Sequence, residues 1–309
     1  MYLHHVGHVV RDIGEALVLY RRLGFVLPPP AFPALPPAPG EAPRAAGAGN
    51  THATLRRNFV ELVAVVGAEP PDGATLVPVE APPAALERLA AGIAATTARL
   101  SAALARFEGL HILVLQPPDA DAAAMRLTTA GVPHDGVQRL QRPHAAGGEP
   151  TAIGYLELDP GAPEGRLALA EDLADEDRPE HPNGALDIVE SILCVPDAEL
   201  EGHARRYERY VGRPAGGRGR VRTLELDGGR ITIVGEHALG VLLPGERVPE
   251  LPGFAGYVVT VRDLDATRGV LDDAGFPVRE TPAGEVFVPA EAALGAAVVF
   301  RSAPDGVRG

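Results

Sequence analysis

Lysine is absent from the 309 residues, so every permanently basic side chain is an arginine. That excludes Schiff-base catalysis, a pyridoxal cofactor and a Walker A loop, each of which needs a lysine amine. Only Ser101, Ser191 and Ser302 are serines, and none stands in a G-x-S-x-G elbow, which argues against a serine hydrolase. Cys194 is the single cysteine, so an internal disulfide and a Cys-based zinc or iron–sulfur site are excluded. It lies in an apolar run, Ile192–Val195, and reads as a small core residue. No basic patch suits a nucleic acid: the arginines are scattered and the net charge is −13. A strand pattern, Tyr2–Val10, opens the chain without a basic and apolar leader before it, and no apolar run reaches membrane length. The expectation is a soluble, cytoplasmic protein without a membrane or nucleic-acid partner.

What is present is a repeat. Hydrophobic residues make up 46% of the chain, enough to fill about two domains. A strand at 3–10 is followed by helical spacing at Ile13, Ala16, Leu17, Tyr20 and Leu23, and Gly24 ends that helix. Further strands are expected at 25–27, 51–57 and 59–66. The same β-α-β-β-β order returns three times, starting at Leu110, Leu186 and Gly256. The helix ends recur as Leu23-Gly24-Phe25, Ala130-Gly131-Val132 and Ala274-Gly275-Phe276. The reading is an α+β fold of four βαβββ modules with curved mixed sheets, paired into domains at 1–175 and 183–309. Two segments fall outside the repeat: a Pro-rich stretch, 28–49, expected as a mobile loop, and a helix at 82–106 bridging units one and two.

Four chemically similar residues fall on strands of the first two units: His5, Glu61, His111 and Glu171. Two imidazoles and two carboxylates make a donor set that a divalent metal accepts. By strand alternation His5 shares a face with Gly7 and Val9, Glu61 with Val63 and Val65, and His111 with Leu113 and Leu115. Isolated polar residues on apolar strand faces are costly unless bonded or coordinated. His52 follows a Gly-rich turn and is expected in a substrate pocket.

The motif L-x-H-V-x-x-V-V-x-D at 3–12, with Leu23-Gly24-Phe25, resembles the vicinal oxygen chelate superfamily of glyoxalases, bleomycin-resistance proteins and extradiol dioxygenases. Gly49-Asn50-Thr51-His52 before Phe59-Val60-Glu61-Leu62, His181-Pro182-Asn183-Gly184-Ala185 and Phe287-Val288-Pro289-Ala290-Glu291 make it similar to the bacterial glyoxalase-like group. The resemblance implies ligands from the first and last strands of paired units. Carried over, these are His5 and Glu61 from unit one and His111 and Glu171 from unit two. Units three and four depart from the pattern: Glu190 and Tyr257 stand for the first-strand His, and Val298 or Val299 for the last-strand Glu.

The resemblance therefore implies a divalent metal ion (Zn, Ni, Co, Mn or Fe) in the first domain. The expected function is a metal-dependent lyase or isomerase of glyoxalase type acting on a small oxygenated substrate, with Glu61 and Glu171 dividing ligand and base roles. The alternative is a metal-free drug or natural-product binding protein of the same fold; an Fe(II) dioxygenase is the third reading. The second domain closes the first site or forms a homodimer surface.

Overall fold

The computed structural model describes residues 1–36, 41–67, 69–79, 83–142, 151–171 and 178–304. Unit one runs β1 (Tyr2–Val9), α1 (Ile13–Arg22), β2 (Ala31–Leu35), β3 (Arg44–Ala45), β4 (Ala48–Thr54), β5 (Phe59–Val65) and β6 (Thr75–Pro78). After α2 (Pro83–Arg106), unit two holds β7 (Gly109–Gln116), α3 (Ala120–Thr129), β8 (Gln138–Arg142), β9 (Thr151–Leu158) and β10 (Arg166–Ala170). Unit three holds β11 (Ala185–Val195), α4 (Leu200–Val211), β12 (Val221–Leu226), β13 (Gly229–Gly235) and α5 (Glu236–Leu242). Unit four holds β14 (Gly253–Val261), α6 (Leu264–Asp273), β15 (Arg279–Glu280), β16 (Val286–Val288) and β17 (Ala297–Ser302).

Local chemistry sets the helix ends. Asp12, Asp119 and Asp263 are extended N-cap residues whose carboxylates accept backbone N–H groups of the first turns of α1, α3 and α6. Gly24, Gly131 and Gly275, just past those helices, have φ of 84°, 66° and 76°, a conformation that costs glycine little.

The strands form two mixed sheets. The first has the order β3-β2-β4-β5-β1-β7-β10-β9-β8, with β6 beside β2; the second has the order β12-β13-β11-β14-β17-β16-β15. Each is built alike: two central strands run antiparallel (β1 with β7, β11 with β14), and each central strand has a parallel neighbour from its own unit (β5, β10, β13 and β17). Part of the Pro-rich stretch is not a loop. β2 lies in it because Phe32 and Ala34 alternate into the core, and it pairs in parallel with β6. Residues 37–40 of that stretch, and 172–177 at the expected domain boundary, lie outside the described residues.

Each sheet has two distinct faces. One large hydrophobic cluster runs through both halves, taking Val6, Leu62, Leu113 and Leu169 from the first sheet and Ile188, Ile233, Tyr257 and Phe300 from the second. On the other face of the first sheet, Val9, Val63, Ile112, Val114 and Ala168 meet Leu100 of α2. On the other face of the second, Ile192, Cys194, Val234 and Val299 meet Leu239 of α5. The expected bridging helix, α2, therefore lies across a sheet face.

Candidate functional site on the α2 face

The α2 face of unit one collects polar side chains by cross-strand pairing. His5 pairs with Phe59 and Gly7 with Glu61 between β1 and β5, and His52 pairs with Glu61 between β4 and β5. Partners in register share a face. Glu61 lies over Gly7: a Cβ there would come 3.0 Å from Glu61 Oε2 and 2.6 Å from Ile112 Cβ. The absent side chain makes room for the carboxylate.

Glu61 is held by three neighbours. Asn50 Nδ2 donates to Oε1 at 2.8 Å, His52 Nε2 lies 3.9 Å from Oε1, and His5 Nε2 lies 3.8 Å from Oε2. Phe59 stacks on His5 (ring centroids 4.4 Å apart) and packs at a tilt against His52 (4.5 Å). His5 Nδ1 is 2.7 Å from His4 Nδ1, so one of these two nitrogens donates to the other. Burial by itself would raise the Glu61 pKa, but His52, His5 and Asn50 outweigh it and hold the carboxyl at about 2. Such a carboxylate stays ionised and is a weak proton acceptor, which fits a fixed charge better than a general base.

The expected quartet does not converge. His111 falls at the irregularity in the β1–β7 pairing, where Gly7 pairs with Ile112 and His8 with Leu110, so it has no partner in register with His5 or Glu61. Its Nε2 bonds to Phe107 O at 2.8 Å and its ring packs on Phe107. Burial lowers its pKa. Glu171 follows the end of β10 and serves α3: its Oε1 accepts from Ala120 N at 2.9 Å, and its Oε2 from Gly154 N at 2.8 Å and Arg139 Nη1 at 2.9 Å. Those backbone bonds, Ala120 first, lower its pKa. Glu171 is a satisfied structural group, and His111 is bonded through Nε2 while its buried Nδ1 has no hydrogen-bond partner among the described residues; His5, Glu61 and His52 do meet.

The helix caps explain the misalignment. His5 stands seven residues before Asp12, and the residue seven before Asp119 is Ile112, so His111 is level with His4. Gly7, which pairs with Glu61, corresponds to Val114, which pairs with Ala168. The two positions that would complete a paired-unit ligand set are thus Ile112 and Ala168. Within unit one, His5 and His52 approach different oxygens of Glu61. Among the described residues no three His, Cys, Asp or Glu side chains are placed to share a cation. The residues present do not fit a divalent metal held in the superfamily manner.

Several residues of this face were not singled out from sequence. Arg166, at the start of β10, pairs with Ile112 as Phe59 pairs with His5. Its Nε lies 3.3 Å from Glu157 Oε2, and its guanidinium is 5.4 Å from the Tyr155 ring centroid. Glu157 is buried and also contacts Arg99 of α2. Burial disfavours the charged form of Arg166, but Tyr155, Glu157 and Glu61 outweigh it and raise its pKa. The available signal was an arginine heading an otherwise apolar strand, Arg166–Ala170. Two cavities flank α2. One of about 210 Å³ is lined by Val9, Leu100, Ile112 and Arg166, and one of about 470 Å³ by Ile93, Gln138, Tyr155 and Arg166.

Paired βαβββ units with polar residues on one sheet face define a protein of the vicinal oxygen chelate fold. The glyoxalase-like domain family matches residues 3–211, more than half of the chain, and the chain belongs to that family. The match crosses from the first sheet into β11 and α4 of the second. No curated protein matches by sequence. Among solved structures, a hypothetical protein from Staphylococcus aureus is similar with a TM-score of 0.60 and 10% identity, over 98% of this chain and 99% of that one. A mutant of 4-hydroxymandelate synthase from Streptomyces coelicolor has a TM-score of 0.59 and 15% identity, over 100% of this chain and 94% of that one. A xylose isomerase-like TIM barrel/4-hydroxyphenylpyruvate dioxygenase fusion protein has a TM-score of 0.57 and 14% identity, over 98% of this chain and 49% of that one. At these identities the likeness is one of fold. No helix of the described residues is long and apolar enough to cross a membrane.

Proposed function

We propose that this chain is a small-molecule binding protein of the glyoxalase-like family that holds its ligand between α2 and the first sheet without a resident divalent metal. The observation that carries this reading is the pair Ile112 and Ala168, apolar residues at the positions that would complete the donor set of His5 and Glu61. The larger cavity has a volume in the range of small-ligand sites. Its mixture of apolar residues with Arg166, Tyr155 and Gln138 suits orientation of an oxygenated molecule. His5, His52 and the ionised Glu61 add hydrogen-bonding groups on the same sheet face.

The metal-dependent lyase or isomerase reading would need further donors on that face, and an Fe(II) dioxygenase the same. The test is elemental analysis of protein purified without chelator, beside ligand-induced thermal shifts measured with and without chelator. Substoichiometric metal and chelator-insensitive shifts are expected. A stoichiometric transition metal that is lost in a His5→Ala variant overturns the proposal.

A further inference from the structure

The second sheet shows what a carboxylate does at the register position that Ile112 holds in the first. Glu190 pairs with Val258 across the centre of its sheet as His5 pairs with Val114, and it pairs with Arg230 as Ile112 pairs with Arg166. Its carboxylate is saturated: Oε2 lies 2.7 Å from Arg230 Nη2 and 2.6 Å from Arg301 Nη2, and Oε1 accepts from Thr232 Oγ1 at 2.5 Å. An arginine in this register thus receives an internal carboxylate from the neighbouring strand.

Arg166 has the same register but faces Ile112, which can accept nothing; its carboxylate neighbour is Glu157 of β9, with Oε2 3.3 Å from Nε and Oε1 taken by Arg99. Where a carboxylate would sit, the cavity of about 210 Å³ opens between Ile112, Arg166, Val9 and Leu100. It shares Thr96, Arg99, Glu157 and Arg166 with the larger one of about 470 Å³. In a chain of net charge −13, the two linings carry Arg88, Arg99, Arg106 and Arg166 against Asp135 and Glu157, with Arg106 also paired to Glu250 at 2.7 Å. A local cation excess inside an acidic protein concentrates anions, and a guanidinium recognises a planar carboxylate through paired N–H donors. The Tyr155 ring beside Arg166 and the apolar Ile112, Val9 and Leu100 favour a ligand with a flat or apolar body.

We infer that the α2-face cleft takes an organic carboxylate, whose anion docks on Arg166 in the place that Glu190 fills in the second sheet. This rests on the small-molecule reading proposed above. The test is titration of the full chain with benzoate and with its neutral isostere benzamide, followed by calorimetry with and without chelator. Saturable benzoate binding is expected, about tenfold or more tighter than benzamide, the factor that one lost charge-assisted bond gives. Arg166→Gln should weaken benzoate by about the same factor and leave benzamide unchanged. Ile112→Glu should recreate the internal ion pair and abolish benzoate binding in a folded protein. Equal affinity for the two probes, no saturable benzoate binding, or benzoate binding indifferent to Arg166→Gln overturns the inference. Arg166-dependent binding that disappears in chelator instead overturns the metal-free reading, so the two failures are distinguishable.

Discussion

At one register position the first sheet carries His5 and Ile112, and the second carries Glu190 and Gly256. The position of Glu61 is held by Ala168, Thr232 and Val299 in the other three units. On the α5 face, Glu190 is closed into a network with Arg230, Arg301 and Thr232, and Arg301 also contacts Glu285. In the first sheet the same register position is not closed in this way: Glu61 meets two imidazoles at 3.8 and 3.9 Å, the carboxylate that Arg166 and Arg99 share is Glu157 of β9, and cavities lie beside α2. The same backbone plan thus gives a sealed ionic core in one half and an open polar cleft in the other. Equivalent register positions hold different side chains, and those identities set whether the face is closed or open.

The largest expected effect comes from breaking the sealed half. Glu190 is buried, and burial raises its pKa less than Arg230, Thr232 and Arg301 lower it. Glu190→Ala leaves Arg230 without its counter-charge and Arg301 with Glu285 alone, and should cost about 3–5 kcal/mol in denaturant unfolding. A loss below about 1 kcal/mol would mean that the network is ordinary surface pairing.

The seam between the halves comes next. His8 is fully buried, with Nδ1 2.8 Å from Tyr20 Oη and Nε2 2.5 Å from Leu294 O, and Tyr20 Oη is 3.2 Å from Tyr257 Oη. Burial, partly offset by the Leu294 bond, lowers the His8 pKa to about 4. Between about pH 6.5 and 4 the unfolded chain therefore binds a proton that the folded chain does not, so stability falls as pH falls through that window. The limiting loss is about 3 kcal/mol, and His8→Asn should flatten that part of the pH–stability curve.

A smaller effect separates Glu61 from Glu190. Glu61→Gln keeps the shape and a carbonyl acceptor for Asn50, so about 1–2 kcal/mol is expected at neutral pH. Because the folded carboxyl titrates at about 2, the wild type should lose this contribution as pH falls below about 4.5, and the variant should show no such step. The smallest effect is none: zinc, nickel or Fe(II) should leave the melting temperature of the wild type and of His5→Ala unchanged. A metal-induced rise in the wild type alone would restore a metal to the first sheet.

Much of the architecture was legible in the chain. The β-α-β-β-β period, the Asp caps and the closing glycines are local signals, and the helices at Ile13, Ala120, Leu200 and Leu264 fall where they point. The hairpin that brings His52 to Glu61 was legible from the turn at Asn58, whereas His5 joins them only through the pairing of β1 with β5. In the quartet, the histidine pair failed on a single residue of alignment. Ile112, not His111, is the equivalent of His5, and His111 falls where the β1–β7 pairing is irregular. The caps Asp12 and Asp119 already contained the correct offset. Glu171 was misread because a carboxylate beyond a strand end can serve a helix N-terminus, and only the fold brings α3 to it.

The sequence by itself determined the repeat, the fold class and the polar identity of the unit-one strands, because periodicity, capping and turn chemistry act over a few residues. Tertiary structure alone decided which polar groups share a face, that α2 lies across that face, and that Arg166 opens on a cavity where Arg230 meets Glu190. Those outcomes depend on register between strands far apart in the chain, where a shift of one residue exchanges core for cleft.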